Sequence, residues 1–232
     1  MTPAGTRTPG RLRAIVEGQW LHALFLLVAG GATLAATRCG RVFGGEAWGI
    51  SGAGWFLAGL AVPVAHQVYI WLGWRLELHG EVLSRRLGRA GFELFAAGFF
   101  VFIVLRGLTA WGVAAADRGS LAAPRPLLDG LALVLAVPCA YTFYSVGRWF
   151  GFRRAAGRDH FDPAVRSKGL VRRGMFRFTR NAMYTWGFFA FWILGLAYAS
   201  RAGLLLAAFC HAYVWVHYLA TERPDLRRIY GV

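Results

Sequence analysis

The chain predicts an all-α, polytopic integral membrane protein with about six transmembrane helices. The last two form a C-terminal hairpin flanked by polar clusters. Three observations carry this. Of 232 residues, 57% are hydrophobic and only 16% charged, too apolar for an ordinary soluble domain. Six apolar runs come close to the roughly 20 residues a helix needs to cross a hydrocarbon core. Arginines gather in alternate loops, as they do where a chain is threaded back and forth through a bilayer.

The first run, 20–36, follows Arg7, Arg11 and Arg13. It is long, and Thr37-Arg38-Cys39 makes a poor cleavage site, so it reads as a retained span and not a leader. The second, 50–73, ends in a polar group, His66-Gln67, Tyr69, Trp74, Arg75 and Glu77. Arg75 and Glu77 fall on opposite helix sides, so no direct pair is implied; the group either lines the cytoplasmic cavity or anchors the interface, the second being favoured. Runs 91–115 and 127–149 supply spans three and four. Runs 182–199 and 202–221 are separated only by Ser200-Arg201, which demands a tight antiparallel hairpin. Glycines inside the runs (Gly30, Gly31, Gly54, Gly59, Gly195) permit close helix approach.

Net charge is +15, and every basic residue but Lys168 is arginine. The N-terminus, the loop after span two, the loop 150–181 and the tail after 221 are arginine-rich, which puts both termini and both polar clusters on the cytoplasmic side. A bacterial inner membrane is the expected location. The charge is scattered between spans and forms no single face, which excludes nucleic acid as a partner. Cys39, Cys139 and Cys210 make neither a disulfide framework nor a metal-ligand spacing, so no metal is expected. The chain divides into N-terminal transmembrane helices, 1–149, and a C-terminal unit, 150–232.

Segment 150–181 mixes arginine with Phe150, Phe152, Phe161, Phe176 and Phe178, as an interfacial segment on anionic lipid does. Within it, Arg153, Asp159, His160 and Asp162 form a polar knot. Two readings stand: a solvated loop whose Asp and His cap a turn, and a headgroup site or base.

Two clusters carry the chemistry. One is Gly174-Met175-Phe176-Arg177-Phe178-Thr179-Arg180-Asn181-Ala182-Met183-Tyr184. The other is Glu222-Arg223-Pro224-Asp225-Leu226-Arg227-Arg228-Ile229-Tyr230-Gly231. Charge at a membrane boundary is costly unless it binds something, and the hairpin tethers both clusters for a single pocket. In span six, His211, Trp215, Tyr218 and Glu222 recur at steps of four, three and four, which sets them on one helix stripe. His217 lies off it.

The first cluster resembles the Gly-x-Tyr-x-x-x-Arg-His-Pro-x-Tyr signature of membrane-embedded S-adenosylmethionine methyltransferases. That family includes phospholipid (phosphatidylethanolamine N-) methyltransferases and isoprenylcysteine carboxyl methyltransferases. The second resembles its Glu-Glu-x-x-Leu-x-x-x-Phe/Tyr-Gly motif, and the resemblance covers about 150–232. Here Asn181 replaces His, Ala182 replaces Pro and Arg223 replaces the second Glu. Asn before Met-Tyr leans towards the phosphatidylethanolamine branch.

The resemblance implies that 150–232 is a catalytic core. The function it implies is S-adenosylmethionine-dependent methyl transfer to a lipid amine in the bilayer. It places Gly174, Phe176, Arg180, Asn181, Tyr184 and Glu222 at the cofactor; the span-six stripe adds Tyr218, and the residues leave Glu222, His211 or His160 to handle a proton. Side-chain chemistry agrees: Arg180 suits the cofactor's carboxylate, Glu222 its hydroxyls or amine, and the aromatics its adenine or sulfonium. The alternatives are a carboxyl, thiol or isoprenoid acceptor, a nicotinamide-dependent reductase, and a small transporter or scaffold.

Overall fold

The computed structural model describes residues 10–38 and 43–231. Arg7, Cys39 and Arg41 lie outside them. Helix α1 (Arg11–Val16) turns at Gly18 into α2 (Trp20–Arg38). A two-stranded hairpin follows, β1 (Glu46–Ala47) against β2 (Ile50–Ser51), antiparallel with Glu46 opposite Ser51. Ser51 then caps α3 (Gly52–Gly80), its hydroxyl accepting from the Gly54 N–H. A short α4 (Val82–Leu87) leads to α5 (Ala90–Ala116), which packs along α3.

Helix α6 (Arg125–Ser145) runs into a π turn, Val146–Phe150. Three one-turn helices cross the next loop: α7 (Phe152–Ala155), α8 (Arg158–Phe161) and α9 (Pro163–Arg166). A 3-10 turn, Gly174–Arg177, precedes a second π turn, Met183–Gly187, which opens α10 (Phe189–Ala197). Helix α11 (Arg201–His217) passes through a third π turn, Tyr218–Glu222, into α12 (Arg223–Tyr230).

The expected count of six spans is not reproduced. Among the described residues, five helical stretches are long and apolar enough to cross a membrane: Arg11–Ala32, Gly52–Gly80, Ala90–Ala116, Arg125–Phe150 and Arg201–Tyr230. The predicted fifth span, 182–199, is the shorter apolar helix Met183–Ala197. Its π turn and early end leave it about 22 Å long, against a core of about 30 Å. It is held by protein on either side, packing on α6 and α11. Two C-terminal boundaries moved outward. Span two continues to Gly80, carrying Trp74, Arg75 and Glu77 on the helix, and the last helix runs through the second polar cluster without a break.

The predicted hairpin is present, pinned by Asp117 at the end of α5. Its carboxylate accepts from the hydroxyls of Ser120 and Ser200 and from the Ala202 N–H at 2.7–2.9 Å. One buried acid thus closes both the α5 terminus and the start of α11.

Candidate active site

The three π turns converge on one pocket. Each contributes lining residues: Phe150 from the first, Met183 and Tyr184 from the second, Tyr218 and Glu222 from the third. An extra residue in a helical turn re-aims the side chains that follow it, and such bulges gather at functional sites. The pocket encloses about 280 Å³ and is also lined by Arg180, Asn181, His160, Asp159, Arg154 and Trp74. The two polar clusters therefore meet, as the hairpin implied.

Tyr184 and Glu222 join them directly. The Tyr184 hydroxyl donates to the Glu222 carboxylate. Around Tyr184 stand the rings of Trp215 and Tyr218, at 6.2 and 6.4 Å. The Asn181 carbonyl accepts from the N–H groups of Tyr184 and Thr185, both at 2.9 Å, so the backbone of the first cluster opens the second π turn. Arg180 lies at the mouth, and among the described residues no carboxylate pairs with it.

The loop 150–170 forms the opposite wall. Arg154 donates to Asp159 at 3.1 Å, to the Gly169 carbonyl at 2.6 Å and to the Tyr230 hydroxyl at 2.8 Å. Tyr230 in turn donates to Asp159. The aromatic residue of the second cluster thus fastens the tail to the loop. His160 is buried, stacked on Trp74 at 4.4 Å, with its Nε2 3.4 Å from Asp225. Gly157 permits this: its φ is +85° and a Cβ there would stand 2.0 Å from the Trp74 indole nitrogen.

Asp162 follows the plainer reading of the polar knot. It caps α9 through the Ala164 N–H and pairs with Arg158. Its slight burial opposes ionisation, but the Ala164 N–H and the Arg158 guanidinium outweigh that and hold the carboxyl below its usual range.

Three expected residues stand outside the lining. Gly174 has φ +59°, and a Cβ there would meet Trp149 and Ser145 at 2.4 and 2.5 Å. It serves a backbone turn packed on α6. Phe176 is buried and stacks on Phe150 at 4.7 Å, so it supports the lining from behind. His211 sits two turns before Tyr218 and accepts from the Trp192 indole at 3.1 Å.

A second cavity of about 420 Å³ adjoins the first. Trp74, Ala155, Met183 and Tyr184 line both. Its walls come from α3, α5, α6, α10 and α11 and are mostly apolar, but they include Arg106, His66, Gln67 and His217. The sequence reading passed over Arg106. The signal was available, since a lone charge within the apolar run 91–115 is expensive and marks a site by default.

No curated protein and no solved structure matches the chain. Residues 130–232 match the model of the phospholipid methyltransferase family. Trp74 apart, every residue that lines the first pocket lies within the stretch that matches this family model.

Proposed function

We propose that this protein is an S-adenosylmethionine-dependent methyltransferase that N-methylates the amine headgroup of a phospholipid of the phosphatidylethanolamine type. One observation carries the reading: a polar pocket built from both family motifs opens through Tyr184 and Met183 into an apolar cavity among the spans. A water-soluble cofactor and a lipid acceptor have opposite solvent demands, and two joined compartments meet both.

The residues fit the cofactor. Arg180, which pairs with no carboxylate among the described residues, offers a fork for an α-carboxylate. The side-chain amide of Asn181 and the ring of Tyr218 line the same pocket for the polar and aromatic parts. When bound, the sulfonium supplies the methyl group. The chain's task is to hold donor and acceptor in line and keep water out. An ammonium acceptor must also lose a proton. Glu222 is our choice for that step over His211, because Glu222 is bonded to the residue shared by both cavities. His160 faces Asp225 and acts as a wall. Residues 1–149 supply the lipid-side walls and 150–232 the catalytic core. Both termini and the pocket face the cytoplasm of a bacterial inner membrane, as the arginine asymmetry supports.

Lipid mass spectrometry of a host expressing the protein tests the acceptor; new mono- and dimethylated phosphatidylethanolamine is the expected result. With purified protein, transfer to phosphatidylethanolamine should accelerate from about pH 7 to pH 9 as the ammonium deprotonates. Labelling of a prenylcysteine carboxylate, with phosphatidylethanolamine left unlabelled, would overturn the amine assignment.

A further inference from the structure

Arg106 lies midway along α5, 5% exposed, its guanidinium 5.0 and 5.5 Å from the ring centroids of Phe188 and Phe191. Its Nε and Nη2 have no hydrogen-bond partner, and among the described residues no carboxylate pairs with it. A buried, unpaired cation is one of the costliest arrangements a fold can carry. Two phenyl faces offset only part of that cost and use none of its donors.

It is not alone. His66 from α3 and His217 from α11 are each 1% exposed, and both nitrogens of each ring lack partners; the Oε1 of Gln67 is also unsatisfied. All of these residues line the second cavity. Buried polar groups are normally satisfied. Four such residues from three helices, gathered on one apolar cavity, point to a ligand with an anionic, hydrogen-bonding group and an apolar body.

The cavity has a side door. Helices α5 and α6 make at most marginal contact, and α10 forms the wall behind them. Ile103, Phe143 and Phe152 line the cavity and are 45–54% exposed. Along the π turn that opens α10, Tyr184 borders the first pocket, and Phe188, one turn on at the N-cap, stands under Arg106. A glycerophospholipid presents its groups in the same order: amine, phosphodiester, acyl chains.

We propose that the second cavity is a phospholipid site in which Arg106 pairs with the phosphodiester. His66, Gln67 and His217 hydrogen-bond around it, and the acyl chains leave between α5 and α6. This deepens the methyl-transfer reading and rests on it for the identity of the acceptor. Arg106 is then the residue that admits a phosphodiester and rejects a neutral lipophile.

The test is equilibrium binding of radiolabelled short-chain phosphatidylethanolamine to delipidated protein in detergent, without S-adenosylmethionine. Arg106→Met should weaken binding at least tenfold, and Arg106→Lys should retain most of it. Gly107→Leu is the companion variant, because Gly107 lines the cavity and a Cβ there meets nothing within 4 Å. It should block the lipid while leaving Arg106 in place. A diacylglycerol of equal chain length, lacking the phosphate, and phosphoethanolamine, lacking the tails, should each compete at least tenfold more weakly than the unlabelled lipid.

A smaller loss for folded Arg106→Met overturns the proposal. So does effective competition by diacylglycerol, or by phosphoethanolamine, which would mark a site for a free phosphate. If Arg106→Met does not fold, full binding by Gly107→Leu overturns it. Calorimetry with S-adenosylmethionine separates the two readings. A wild-type protein that ignores the cofactor but binds lipid through Arg106 loses the methyl-transfer reading and keeps this site.

Discussion

Arg75 and Arg106 lie on α3 and α5, helices packed along one another, and at 0% and 5% exposure both are withdrawn from solvent. Their surroundings differ sharply. The Arg75 Nε stands 2.7 Å from Asp225, its Nη1 donates to the Ala14 carbonyl, and its Nη2 lies 3.2 Å from the carbonyls of Ala220 and Thr221. Arg228 closes on the same aspartate and on Glu17. One guanidinium thus ties the N-terminal helix, α3 and the C-terminal helix together. Around Arg106 stand two phenyl rings and the Cys210 thiol, and among the described residues no carboxylate pairs with it. A buried charge that serves the fold is closed by the fold itself; one left open is kept for a partner from outside.

Breaking the closed site should have the largest effect. Arg75→Met leaves Asp225 buried without its nearest cation and should cost about 3–5 kcal/mol of stability. Unfolding in mixed detergent would measure it, and adding Asp225→Leu should recover much of the loss. A near-neutral single variant would dissolve the contrast between the two arginines.

Next comes Glu222→Gln. Losing the group that takes the proton should slow methyl transfer on the order of 10²-fold or more. Cofactor affinity, read by calorimetry, should change far less. Equal losses in both would make Glu222 a cofactor ligand instead of the base.

Arg180→Ala should weaken S-adenosylmethionine more than tenfold, at least about 1.4 kcal/mol. Arg177 is exposed and stacks over Phe178 away from the pocket, so Arg177→Ala should leave affinity within about twofold. Similar effects from both would indicate diffuse surface charge and no defined site.

The smallest change is expected at the open site. Arg106→Met removes a cation that no protein acid balances, so its thermal midpoint in lipid-free detergent should not fall below that of the wild type. A large drop would mean that the fold closes Arg106 after all, and the comparison would fail.

The local elements were largely legible in the sequence. A run of apolar residues of the right length can do little but form a buried or membrane helix, and Ser200-Arg201 between two such runs allows only a tight hairpin. Helical arithmetic set His211, Trp215, Tyr218 and Glu222 on one stripe, of which Tyr218 and Glu222 line the pocket. The two motifs resembled a methyltransferase family over the C-terminal part, and residues 130–232 match the phospholipid methyltransferase model.

Tertiary structure decided the rest, for reasons of distance and register. No periodicity foretells that a π turn falls at 183–187 and shortens the expected fifth span, because the extra residue is stabilised by packing and not by composition. The partners Arg75 and Asp225 are far apart in the chain, and nothing local couples them. His160, read equally as a solvated turn residue, is buried because Trp74 comes to lie on its ring. The sequence does show that Arg106 is a charge inside an apolar run. Whether it is answered by an acid, as Arg75 is, or left facing a cavity depends on which helices surround it, and only the assembled bundle determines that.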